Sequence, residues 1–156
     1  MNIRFIKTPE KRRIIEELNA QFGISELPFL LIETGKDRIR GYSGHLSKEE
    51  IMQIGRLAPV EGIGVYLLRK EIAEWRLSFD ALHLLKEQIT KNIFEINEQQ
   101  LNEWIRGNDL EIQAPAGILI IKYKGDFIGS AISSGTKLHN YVPKERRLRS
   151  KIAKLL

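Results

Sequence analysis

Seven of the last twenty residues are basic, namely Lys137, Lys144, Arg146, Arg147, Arg149, Lys151 and Lys154, against a single acid, Glu145. The whole chain carries only +5, so the rest is close to neutral. A cationic end on a near-neutral body suits a polyanion partner. Asn140 and Tyr141 sit between Lys137 and Lys144. One short stretch thus offers cations to neutralise phosphates, an amide able to read a base edge, and an aromatic face for stacking. A solvated basic tail is the competing account of the charge alone.

The turn Arg106-Gly107-Asn108-Asp109 supplies a second candidate. Glycine lets the backbone approach a phosphate closely, although a helix C-cap explains Gly107 by itself. The RNA-binding candidates are therefore Arg106, Gly107, Lys137, Asn140, Tyr141, Lys144, Arg146, Arg147 and Arg149.

Other chemistries find little footing. The chain has no cysteine, which excludes disulfides, thiolate metal sites and cysteine nucleophiles. His45, His83 and His139 are far apart, and none has a second ligand at helical spacing. Gly62-Ile63-Gly64 lacks the third glycine of a dinucleotide loop and precedes a strand. Gly41-Tyr42-Ser43-Gly44-His45 departs from a nucleophile elbow at its last position. No paired carboxylates suggest acid/base work, and no cofactor or metal is expected.

These residues need elements to position them. Thr8-Pro9-Glu10 opens a helix with Thr8 as its cap; Ile14, Leu18 and Phe22 share a face, and Gly23 is its stop. Leu27–Glu33 and Arg38–Tyr42 flank Thr34-Gly35-Lys36-Asp37 as a hairpin. Ser47 and Glu50 form a capping box, Ser78 caps a further helix, and Asn97 with Gln100 repeats the box before Leu101, Trp104 and Ile105. Trp104 reads as core. Gly117–Tyr123 and Phe127–Ile132 flank Lys124-Gly125-Asp126 as another hairpin, a strand follows at Lys137–Tyr141, and a short basic helix is expected from Leu148 to Leu156. The composition shift places a boundary near residue 88, with an α/β half at 1–88 and a β-rich half at 89–156.

Trp104-Ile105-Arg106-Gly107-Asn108-Asp109-Leu110, the pair around Gly125-Asp126-Phe127-Ile128-Gly129, and Lys137-Leu138-His139-Asn140-Tyr141-Val142-Pro143-Lys144 before Arg146-Arg147 carry a resemblance. Together they resemble the C-terminal PUA-like RNA-binding module of Sun-type RNA cytosine-5 methyltransferases. The likeness extends upstream through Trp75–Leu82 to Gly62. It implies an α+β protein ending in a PUA-like pseudo-β-barrel, and the order of the halves also resembles, in architecture, the pre-PUA plus PUA arrangement of ribosome-biogenesis factors, which implies an α/β pre-PUA-like N-terminal half. It also implies contact with ribosomal or transfer RNA, in RNA modification or ribosome biogenesis. The catalytic cysteine and the S-adenosylmethionine-binding domain of those enzymes have no counterpart here, so a non-enzymatic role is expected.

The competing class is a protein-interaction or specificity subunit that docks on an RNA methyltransferase or ribosome-assembly factor. The first helix and the Gly41–His45 loop would carry that contact. No apolar run approaches the roughly 20 residues of a spanning helix. Met1–Lys7 lacks a signal-like h-region, which sets the expectation of a cytoplasmic protein without membrane contact.

Overall fold

The computed structural model describes residues 3–58 and 63–148. Arg149, Gly62 and nearly all of the expected C-terminal helix lie outside them.

Helix α1, Thr8–Phe22, starts after Lys7, with Pro9 in the first turn where its missing N–H costs nothing. Thr8 is already helical and makes no cap, so the expected role passes to the extended backbone of Lys7. Gly23 ends the helix at φ 89°, and its N–H donates to the Asn19 carbonyl. Ile14, Leu18 and Phe22 are buried along one stripe.

That stripe packs on a five-stranded sheet ordered β1-β2-β3-β4-β5, made of Ile3–Phe5, Leu30–Thr34, Arg38–Tyr42, Val65–Glu71 and Glu74–Leu77. Every pairing in it is antiparallel. A bulge between β3 and β4 sets its side-chain pattern: Ile39 pairs Leu68, but Arg40 pairs Tyr66. The extra residue, Leu67, lets Leu67 and Leu68 both enter the core, whereas simple alternation would bury only one. Helix α2, Lys48–Leu57, carries the expected Ser47–Glu50 capping box and contacts β1. It buries Ile51 but leaves Met52, Ile54 and Leu57 exposed.

Ser78 caps helix α3, Phe79–Leu84, by accepting from the Ala81 N–H. After a single 3-10 turn at Lys86–Gln88 the chain enters a second sheet, ordered β6-β7-β8-β9: Ile93–Glu95, Gly117–Tyr123, Asp126–Ser133 and Leu138–Asn140. β6 pairs β7 in parallel, with helix α4, Glu98–Trp104, in the crossover. The fold is thus mixed α and β with two sheets.

The core does not stop near residue 88. Ile118, Ile120 and Phe127 of the second sheet join the cluster built on Leu18, Phe22, Leu68 and Leu77. Across the same seam Ser130 Oγ donates to the Leu77 carbonyl at 2.8 Å, and the Ile118 N–H donates to Glu74 at 3.0 Å. A second cluster, around Trp104, Leu101, Leu119, Ile121 and Leu138, lies beneath α4.

Candidate nucleic-acid interface

The second cluster fixes the end of α4. Trp104 is fully buried, and its indole N–H donates to the Ile128 carbonyl at 3.3 Å. Its Nε1 would lie 3.1 Å from a Cβ at Gly129, so only glycine lets β8 pass that close. Trp104 is a packing residue, as its helical spacing predicts.

Gly107 follows at φ 91° and donates to the Trp104 carbonyl. The space a Cβ would take there is filled by Arg147, whose Cζ would stand 2.7 Å away. Arg147 Nε donates to the Val142 carbonyl at 2.9 Å, and the Leu148 N–H returns to the Ile105 carbonyl at 2.7 Å. The Arg106–Gly107 turn and the basic exit therefore meet on one face. Gly107 lies against the chain's own guanidinium, which accounts for it as packing. Arg106 donates to the Asn102 carbonyl and pairs with Glu103 at 2.5 Å.

Asn140 holds the junction together. Its Nδ2 donates to the Trp104 carbonyl at 2.7 Å and the Asn108 carbonyl at 3.0 Å, and its Oδ1 accepts from the Val142 N–H at 2.8 Å. The Asn140 N–H donates to Asp109 at 2.8 Å. With its amide engaged inside the chain, Asn140 orients the exit and offers no free amide edge to a base. The Asn140 N–H, with smaller contributions from His139 and Lys137, holds the Asp109 carboxyl below the ordinary aspartate range despite partial burial. Lys137 Nζ lies 3.7 Å and His139 Nδ1 3.4 Å from the same carboxylate.

The outward-facing groups are fewer. Lys144 is exposed in a 3-10 turn, Lys144–Arg146. Arg146 is about half exposed; it pairs with Asp80 at 3.2 Å and stands 5.3 Å from the Phe79 ring. Tyr141 is 38% exposed, with the Arg76 guanidinium 4.4 Å from its ring centroid. Sequence reasoning missed Arg76 and Asp109. Arg76 comes from the other half of the chain, and Asp109 carries no spacing signal that ties it to Asn140. Among the described residues no group of three or more His, Asp or Glu could hold a metal, and no helix is long and apolar enough to cross a membrane.

A buried tryptophan closing a short helix, a glycine turn and an asparagine-tied basic exit are thus assembled on a four-stranded sheet. Residues 91–148 match the family described as the methyltransferase RsmF PUA domain. The chain is also similar to the ribosomal RNA small subunit methyltransferase F of Erwinia tasmaniensis, with 34% identity over 85 residues. That alignment covers 53% of this chain and 18% of the relative, so the chain spans a small part of that enzyme's length. The matched family is the PUA domain, not a catalytic one.

Proposed function

We propose that the chain binds structured RNA without catalysing a reaction. The observation that carries this reading is the exit itself: Lys144, Arg146 and Tyr141 face solvent on a PUA-type module, held in register by Asn140. Lys144 and Arg146 neutralise phosphates and Tyr141 stacks on a base, while Lys137, Arg106, Gly107 and Arg147 shape the turn beneath them. The relative's name refers to the small ribosomal subunit, which makes ribosomal RNA the first ligand to try and transfer RNA the second. The process served is RNA modification or ribosome biogenesis, in the cytoplasm. In this reading residues 1–88 are a pre-PUA-like half and 89–156 a PUA-like pseudo-barrel with a basic extension.

A fluorescence titration with ribosomal and transfer RNA fractions tests it. About four phosphate contacts give a slope of log K against log salt near −3. Lys144→Glu with Arg146→Glu should weaken binding at least tenfold; affinity equal to the parent would sink the proposal. A second reading, docking on an RNA methyltransferase or assembly factor, draws on Met52, Ile54 and Leu57 exposed on α2. Pull-down that survives nuclease treatment would favour it.

A further inference from the structure

Helix α1 covers one face of the first sheet; on the opposite face the β3-β4 part opens into a concavity, while Arg76 on β5 is mostly covered, against Glu71 and Tyr141. On that face Arg38 pairs directly with Arg69, and Arg69 with Arg76, across three neighbouring strands. Directly opposed residues in a sheet have Cβ atoms about 4.5–5.5 Å apart, and like charges so placed are destabilising. The next rung pairs Arg40 with Tyr66, which the bulge brings to the same face as Arg69. Thr34, Gly35 and Lys36 join Arg38, Arg40, Tyr66 and Arg69 around an open concavity of about 680 Å³.

Among the described residues little answers this charge. Glu71 lies 3.4 Å from Arg69 and 3.1 Å from Arg76. Arg40 donates to the Ile63 and Gly64 carbonyls, which orients the guanidinium without neutralising it. Arg38 stands 5.8 Å from the Tyr66 ring centroid, and Lys36 is exposed at the hairpin turn. Burial pushes the Tyr66 phenol up, opposed by Arg76, Arg38 and Arg69.

Arg76 links this surface to the exit, because it pairs Arg69 across the sheet and its guanidinium stacks on Tyr141. Tyr66 lines the concavity, and Tyr141 stands three residues before Lys144 in the exit. Cations interleaved with aromatic faces along a groove are the arrangement that tracks a nucleic-acid backbone.

We propose that the Arg38–Arg69–Arg76 ladder and its concavity form a second RNA-contacting surface, outside the matched residues 91–148, which takes the phosphodiester backbone of the RNA strand that leaves the C-terminal exit. The inference rests on the RNA-binding reading above. It accounts for a repulsive ladder that folding alone would not favour, since a bound backbone replaces the missing counter-charges.

The test uses the full chain, labelled bulk transfer RNA and ribosomal RNA, and a triple variant, Lys36→Gln with Arg38→Gln and Arg69→Gln, beside the Lys144→Glu and Arg146→Glu variant. The sheet variant should bind at least tenfold more weakly, with a salt slope shallower by about 2. In the parent, RNA should protect Arg38 and Arg69 from phenylglyoxal, read by mass spectrometry, which requires no folded variant. If the parent binds RNA and only the exit variant weakens it, without protection of Arg38 and Arg69, the ladder proposal fails and the RNA-binding reading stands. If the parent binds no RNA, both fall. Binding of poly-glutamate that the sheet variant abolishes, with RNA affinity unchanged, would assign the surface to an acidic protein and overturn the proposal.

Discussion

The cations of the C-terminal exit and those of the first sheet are held in opposite ways. At the exit, where basic residues are densest in sequence, most of the described ones are tied to their own chain: Arg147 to the Val142 carbonyl over Gly107, Arg146 to Asp80 and Lys137 beside Asp109, with Arg106 of the adjoining turn tied to Glu103. In the sheet, where basic residues are scattered in sequence, strand pairing stacks three arginines side by side and Glu71 answers two of them. Linear charge density and presented charge are therefore different quantities. The first can be spent on internal contacts, while the second is set by register.

The contrast can be broken most severely at Asn140. Asn140→Ala removes three side-chain hydrogen bonds at a partly buried junction and should cost about 2–4 kcal/mol. Urea denaturation checks this; a loss below about 1 kcal/mol would mean that the exit is not scaffolded from within. Gly107→Ala comes next, at about 1–2 kcal/mol, because alanine at φ 91° is strained and its Cβ would displace Arg147. Its RNA affinity should fall with its melting temperature if Arg147 is a packing group. The smallest effect has the opposite sign. Arg38→Gln should stabilise the chain by about 0.2–1 kcal/mol by relieving repulsion from Arg69, which a thermal melt at low salt would detect and high salt would erase.

Much of the scaffold was legible because local chemistry specifies it. Both capping boxes, the Gly23 stop and the hairpins around Gly35 and Gly125 stand where the sequence puts them. Thr8 was misread as a cap because a capping hydroxyl and a first-turn threonine look alike beside proline. The exit was legible through its resemblance, but Asn140 shows the limit of reading a residue type. An amide suited to a base edge is equally suited to backbone carbonyls, and Trp104 and Asn108 supply those only after folding. The arginine ladder was hidden for a different reason. Arg38 and Arg40 alternate visibly, but Tyr66 shares a face with Arg69 only because the bulge adds Leu67 to β4, and Arg76 joins Arg69 only through a hairpin turn at Ile72, whose φ of 57° no β-branched residue advertises.

The seam at Leu77, where Ile118, Ile120 and Phe127 enter the core of the first half, has a consequence for how a long ligand would be held. Two weak binding faces joined by a flexible linker reinforce each other only to the extent that the linker's effective concentration allows. Faces on two cores that share strands β7 and β8 would carry no such entropic penalty, because their separation is fixed before the ligand arrives. If both proposed faces bind RNA, a chain built this way would act as a gauge: an RNA whose backbone spans the distance between the faces would gain both at once, and one that does not would be limited to either alone.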